Sequence, residues 1–475
     1  MQPMSRASAT FILVVILLAY LSIGSAYAIN TPDWQAPDEP AHYNYIKYIV
    51  EKHALPILQP GDYEQAYNEQ FTRTPQNTRS MSIDPLRYEN YAPPLYYLLA
   101  APIYSLADGW ATSIRFFSLI LGAILIVVAY RIAAELFPAT LQIALGTAAF
   151  VAFVPQHLAM MASVNNDSLA ELLIALIVLQ TLYLFRSDQP SQRSLIILGF
   201  TLGLGLLTKT TVYYTAVPIV LLALVLRARQ SALRVSQFAL VLVPALTLGA
   251  LWWMRNLGVY GGFDILGQAR HNAVVVGQLT TAQGIAQYGL GGLIGLGLTT
   301  TFHSFWGQFG WMGVPMPDST YLLLGLLSVV ALIGWAWWLV DRIQNRPYPP
   351  HSGGGPLGAE SRIQKKRLSP SAIILASLTA LAFMGLIYYN FTFVQFQGRY
   401  LFPALIPIGI AFALGLDHLL GKIKIVLLRL TSHSKRDLTP WFDEAHLLAF
   451  AAIFILLARL DLIALQHYIL PALAP

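Results

Sequence analysis

TFILVVILLAYLSIGSAYAINTPDWQAPDEPAH, residues 10–42, runs an uncharged apolar span into a polar turn that ends in two adjacent carboxylates and an imidazole. The span at 10–29 is long enough to cross a bilayer, which takes about 20 helical residues. Beyond it, Pro37-Asp38-Glu39-Pro40-Ala41-His42 sets the acids between prolines. Pro40 has no backbone N–H and a φ fixed near the helical value, so it suits a first helical position. The pattern predicts a helix from Pro40 to Lys52, with Glu39 as N-cap and Asp38 just outside. Its broad aromatic and aliphatic face (AHYNYIKYIVEK) predicts that it lies at the membrane surface rather than crossing. Read locally, the two acids need only cap that helix and favour its positive end. A catalytic role needs support from the rest of the chain.

Of the 475 residues, 56% are hydrophobic and 11% are charged, and the mean hydropathy is +0.57. A soluble domain carries about 25% charged residues, so the chain reads as an all-α polytopic membrane protein. Eleven segments are candidate spans: 10–29, 112–136, 139–157, 168–185, 194–208, 211–226, 235–254, 320–340, 371–393, 400–420 and 444–463. The net charge of +6 does not point to nucleic acid, because the basic residues form short clusters between apolar spans. Cysteine is absent, which excludes disulfides and thiolate catalysis.

Those clusters orient the chain. Arg186 and Arg193, then Arg227, Arg229 and Arg234, then Arg342 to Arg367, then Lys422 to Arg436 share one set of connections. The opposite short connections hold only isolated cations, among them Lys209, Arg255 and Arg399. The positive-inside rule makes the first set cytoplasmic and the acidic turn extracytoplasmic. One transmembrane domain, 1–475, then carries a first outer loop over 30–111 with interfacial helices and a second over 255–319. A flexible basic cytoplasmic loop spans 341–370. A crossing by Gly289–Phe302 would reverse every later span, so that run reads as re-entrant or interfacial. Ala26-Tyr27-Ala28 resembles a signal-peptidase site, although an uncleaved helix would anchor the motif at the bilayer.

Transporters gather ionisable residues near mid-membrane, on broken helices. Here they gather at outer ends of spans: Asp38, Glu39, His42, Arg115, Asp167, Lys209, Arg255, Asp264, His303 and Arg399. Arg459 and Asp461, in the last span, read as a structural pair or a frayed helix end. Tyr91 to Tyr97, Trp306 to Trp311 and Gln397 to Tyr400 combine aromatics with proline or glycine. Such segments serve either as an interfacial belt or as substrate contacts. Arg399 opens a span beside a glycine, where its guanidinium either reaches a phosphate at headgroup depth or snorkels as an anchor.

One helix leads to Pro-Asp-Glu-Pro-x-His, and a long loop follows that ends in Pro93-Pro94-Leu95-Tyr96-Tyr97-Leu98-Leu99. Next come Leu207-Thr208-Lys209, Trp253-Met254-Arg255-Asn256 and Gly398-Arg399-Tyr400-Leu401-Phe402-Pro403. In that order the elements resemble the GT-C superfamily of integral membrane glycosyltransferases. The nearest members are bacterial relatives of the protein O-mannosyltransferases and lipid A aminoarabinose transferases. The resemblance implies a polyprenyl-phosphate-linked sugar donor, transferred with inversion at the extracytoplasmic face of a bacterial inner membrane. The acceptor is a lipid, glycan or protein, and no soluble C-terminal domain is recognisable from which to infer it. Asp38 is then the base and Glu39 positions the acceptor or a divalent metal cation. His42 orients Asp38 or ligates that cation. Arg399, Arg255, Lys209 and Arg115 bind the donor phosphate, because cations replace a general acid when the leaving group is a phosphate. Tyr91, Pro94, Tyr96, Tyr97, Trp306, Gln397 and Tyr400 line the acceptor and sugar site. No nucleotide or redox cofactor is implied. The competing readings are an oligosaccharide polymerase or ligase, and a transporter or flippase of lipid-linked sugars.

The cysteine-free background makes the topology testable. Ser80→Cys and Gly354→Cys should react with a membrane-impermeant maleimide from opposite sides, Ser80→Cys from outside. Reaction of both from the same side contradicts the orientation.

Overall fold

The computed structural model describes residues 4–186, 189–230, 234, 237–344, 369–431 and 438–473; the linker at 353–366 lies outside them. Every one of the eleven apolar segments is helical. Eight helices are long and apolar enough to cross a membrane: Arg6–Asn30, Ala111–Leu136, Thr211–Arg229, Phe238–Tyr260, Asp318–Gln344, Pro370–Asn390, Gly398–Leu430 and Thr439–Leu473. Leu141–Phe153 and Pro155–Met161, bent by 65°, make a ninth if taken together. The count of eleven also needs Asp167–Tyr183 and Gln192–Leu206, which are only 17 and 15 residues long.

The bend at Val154 has a local cause. A residue before proline is pushed out of the helical region, and Val154 is extended, with φ −77° and ψ 114°. Pro155 then opens the next helix, where its missing N–H is not needed. The break frees the Val151 carbonyl, which lies 2.7 Å from His157 Nδ1. His157 Nε2 lies 3.1 Å from Glu171, so both ring nitrogens are satisfied inside the bundle. Asp461 differs from the sequence reading. It is fully buried, its carboxyl oxygens have no hydrogen-bond partner among the described residues, and Arg459 is exposed, so the two do not pair.

Close helix packing fixes the late spans. A Cβ on Gly415 would collide with the Ala331 carbonyl, and one on Gly334 with the Gly415 carbonyl. Small residues let backbones approach this closely in membrane bundles. Gly398 does the same for the site, since a Cβ there would strike the Thr301 carbonyl and the Phe305 amide. The Gly398 N–H donates to Ser304 Oγ at 2.7 Å, which seats the 3-10 turn Gly398–Ala404 against the helix Thr281–Trp306. That helix contains the Gly289–Phe302 run and is interrupted only at Gly289, where φ is 69°.

The first loop is ordered by its own small core. Ala41, Leu58, Phe71, Leu86 and Tyr88 pack with Val274 and Val275 of the second loop. Trp311 Nε1 donates to the Trp34 carbonyl at 2.8 Å, which ties the hairpin Gln308–Phe309/Val314–Pro315 to the turn before the acidic motif. The two loops therefore form one cap over one end of the bundle.

Gly415→Leu should destabilise the detergent-solubilised protein by about 1–3 kcal/mol or more, as overpacking does. Thermal unfolding checks this. A melting temperature equal to wild type would show that the two late helices do not cross at Gly415.

Candidate active site

The acidic pair divides into two environments. Glu39 is fully buried, and four donors converge on it. Arg115 Nε reaches Oε1 at 2.8 Å and Nη2 reaches Oε2 at 2.7 Å. The backbone N–H groups of Val164 and Trp34 follow at 3.0 and 3.1 Å. Arg115 spends its other donors on the carbonyls of Ala28, Thr31 and Pro32, and on Asp33 at 3.3 Å. A bidentate, charge-assisted pair with every site used leaves no donor for a ligand. This corrects the sequence reading: Glu39 does not face an acceptor, and Arg115 does not face a phosphate.

The structure also moves the cap by one residue. The helix spans Glu39–Lys52, and Asp38 is its N-cap in the left-handed region, with φ 67° and ψ −5°. Its side chain makes no capping bond. Instead Oδ1 accepts from Tyr88 Oη at 2.9 Å and Oδ2 accepts from Arg399 Nη2 at 2.5 Å. Capping therefore does not explain this aspartate. Arg399 Nε donates to Gln397 Oε1 at 2.6 Å, which orients the guanidinium. Burial alone would raise the Asp38 carboxyl, but Arg399, His42 and Tyr88 together hold it at about 2. So held, Asp38 is charged at neutral pH and is a weak proton acceptor.

His42 sits one turn into the same helix. Its Nδ1 lies 2.9 Å from Tyr97 Oη, which also accepts from Asn166 Nδ2 at 3.1 Å. Tyr97 is stacked on Tyr45, with ring centroids 3.8 Å apart. Burial and the Lys209 ammonium push His42 down to about 3, against Asp38 and Asp167, so the ring is neutral. Lys209, on the turn before Thr211–Arg229, pairs with Asp167 at 2.6 Å. Asp38, Arg399, His42, Asp167 and Lys209 thus share one electrostatic neighbourhood.

Other predicted residues fall elsewhere. Arg255 donates to the Pro56 carbonyl at 2.5 Å and lies over Trp252, so it pins the first loop and does not join the Asp38 cluster. Trp306 is buried among Phe150, Phe305 and Phe412. Tyr96 is fully buried, bonded to Ser118 and the Asn165 amide. Neither ring is available to a sugar; the corrections reflect core packing that an aromatic-rich motif cannot reveal. Pro94 is buried at the start of Leu95–Leu106. Tyr91, Gln397 and Tyr400 remain partly exposed; Tyr91 packs on His271, and Tyr400 packs on Tyr389 beside Arg399. Tyr88 was missed because nothing in the long first loop marks it.

Among the described residues no group of three or more His, Cys, Asp or Glu is placed to hold an ion. Asp38, Asp167 and His42 already have Arg399, Lys209 and Tyr97 as partners.

Removing one partner of a buried pair strands the other charge, at a cost of about 3–5 kcal/mol. Glu39→Gln and Arg115→Met should each destabilise by that order. The double variant should cost less than the sum, because one loss removes the reason for the other. Additive losses in thermal unfolding would refute the pairing.

A family model described as dolichyl-phosphate-mannose-protein mannosyltransferase matches residues 91–253. Comparison with curated protein sequences gave no match. Among solved structures, ArnT from Cupriavidus metallidurans in the apo state superposes with a TM-score of 0.51 at 13% identity, covering 98% of this chain and 74% of that one. The oligosaccharyltransferase of Archaeoglobus fulgidus, tethered with an acceptor peptide containing the NVT sequon, gives 0.52 at 14% identity, covering 96% of this chain and 55% of that one. At such identities the likeness is one of fold, and the chain spans little more than half of the archaeal enzyme. The family match over residues 91–253 and the shared fold both agree with the order of motifs by which the chain resembles the GT-C integral membrane glycosyltransferases.

Proposed function

We propose that the protein moves a sugar from a polyprenyl-phosphate carrier to a hydroxyl acceptor, with inversion, at the extracytoplasmic face. The observation that carries this reading is the pair of cations, Arg399 and Lys209. Each comes from a different span end and is matched by one carboxylate, Asp38 or Asp167. The description of the matching family, which pairs a dolichyl phosphate with mannose, supports a lipid-phosphate donor. The clustering of basic residues in the opposite connections supports the face.

The chemistry suits that arrangement. A sugar phosphodiester carries one negative charge, so it can take the place of one carboxylate beside a cation. As the bond from C1 to the phosphate oxygen breaks, the carrier phosphate gains a second charge. Cations already in place stabilise that developing charge without reorganisation. Arg399 offers a fork to two phosphate oxygens, and Lys209 offers a point charge. Asp38 acts here as a positioning residue that holds Arg399 before the donor arrives, and Asp167 does the same for Lys209. Once the phosphate has taken its place beside Arg399, the Asp38 carboxylate is released to serve as the base first read for it.

Binding of undecaprenyl phosphate to the protein in detergent tests the donor end. Arg399→Ala should lose about 2–5 kcal/mol of binding free energy if the contact is desolvated. Arg399→Lys should keep part of it, because a point charge replaces a fork. Binding unchanged in Arg399→Ala would reduce Arg399 to a membrane anchor.

A further inference from the structure

We propose that the pocket behind the acidic motif binds a neutral saccharide unit of the acceptor. This rests on the transfer reaction proposed above and narrows its acceptor to one that presents an uncharged sugar.

The pocket, with its mouth, holds about 420 Å³ of free space. Its walls are the motif turn at Gln35 and Pro37, the helix Pro155–Met161 with the turn after it, the hairpin at Phe309, and the end of the last span at Leu473. Two glutamines in these walls are almost fully buried, Gln35 at 2% exposure and Gln156 at 3%. The bonds around each amide fix which way it points. Gln156 Oε1 accepts the Gln308 N–H at 2.8 Å, so Nε2 is the end left over, with no hydrogen-bond partner among the described residues. Thr78 Oγ1 gives its one proton to the Pro75 carbonyl at 2.8 Å, so it accepts from Gln35 Nε2. Gln35 Oε1 is then the end left over, also without a partner among the described residues. A buried donor and a buried acceptor, both oriented and both unused, thus line one pocket. Buried polar groups are nearly always satisfied, so two such atoms call for a ligand.

The hairpin that fixes Gln156 is itself strained. Trp311 and Met312 have φ of 52° and 68°, in the left-handed region that side chains avoid. Gln308 Nε2 donates to the Met312 carbonyl at 2.8 Å, and Trp311 Nε1 to the Trp34 carbonyl, and these bonds hold the turn. Backbone strain of this kind clusters at ligand sites.

The ligand that fits these walls is neutral. Glu39 and Arg115 also face the pocket, but they are committed to each other and to backbone groups. No charge is left to pair with a charged ligand, and an unpaired buried charge is costly. A sugar hydroxyl both gives and takes hydrogen bonds, which matches one free amide N–H and one free amide oxygen. Met160, Phe309 and Leu473 offer apolar surface to the C–H face of a pyranose. Water takes about 30 Å³ per molecule, so one water on each glutamine leaves most of the space unfilled.

The pocket also lies where an acceptor is needed. Pro37 and Glu39, on either side of Asp38, both line it, while the Asp38 carboxylate reaches Arg399. The motif turn therefore has the pocket on one side and the donor cations on the other. A saccharide held by Gln35 and Gln156 brings its hydroxyls to the turn that carries the base.

Saturation-transfer NMR of the protein, in a detergent without a sugar headgroup, reads binding directly. The probes are the methyl glycosides of glucose, galactose, mannose and N-acetylglucosamine, with methyl glucuronide as the charged control. At least one neutral glycoside should bind wild type, and the glucuronide should not. Ala162→Leu, which fills the pocket and leaves both glutamines in place, should abolish that binding. Gln156→Glu keeps the oxygen that accepts the Gln308 N–H but loses the free donor, so it should weaken binding about three- to tenfold. Undecaprenyl phosphate should bind both variants as it binds wild type. A wild type that binds none of the four neutral glycosides overturns the inference and leaves a pocket of ordered water. So does glycoside binding that is unchanged in either variant whose undecaprenyl phosphate binding is intact. Glycoside binding that is lost in the variants, in a wild type that does not bind undecaprenyl phosphate, upholds the pocket and overturns the transfer reading instead.

Discussion

The buried pair of Glu39 and Arg115 is the constraint on which the site depends. Through it the carbonyls ending the first span, the acidic motif, the start of Ala111–Leu136 and the turn at Val164 meet in one closed network. A buried ion pair adds little net stability over apolar packing, but it is costly to break and it fixes geometry. Here the geometry it fixes is that of its neighbour. With Glu39 held by four donors, Asp38 stays in a left-handed conformation that costs about 1 kcal/mol or more. That conformation sends its carboxylate away from the helix N-terminus and toward Arg399.

Charge pairing governs the rest. The cluster places two cations beside two carboxylates where burial makes any unpaired charge expensive. Neutral His42, held by Tyr97, adds polarity without charge. Such a site can rest empty without excess charge and still accept an anionic headgroup by exchange. The benefit is greatest where the leaving phosphate gains its second charge, which is the sense in which binding becomes catalysis.

The all-helical membrane fold, and helices at all eleven apolar segments, were legible because apolar length and charge clustering follow from the bilayer itself. How many of those helices cross was less legible, since Asp167–Tyr183 and Gln192–Leu206 are short and Pro155 breaks a span. In the site, Asp38 and Arg399 stood out through their motifs, and the structure brings them together across 361 positions. Glu39 and Arg115 looked equally functional, because sequence does not reveal which of two adjacent acids turns inward. Trp306 and Tyr96 misled for the same reason: an aromatic near a span end is read as interfacial until its neighbours are known. Tyr88 carried no signal, since a single loop residue acquires its role from the tertiary turn that delivers it.

A structure of the protein with undecaprenyl phosphate, determined by electron cryomicroscopy in a lipid nanodisc, tests the central claim most directly. The phosphate should lie within hydrogen-bond reach of both Arg399 and Lys209, with the Glu39–Arg115 pair intact and the Asp38 carboxylate displaced from Arg399. Phosphate density seated at Arg255, or anywhere that leaves the Asp38–Arg399 and Asp167–Lys209 pairs closed, would contradict it.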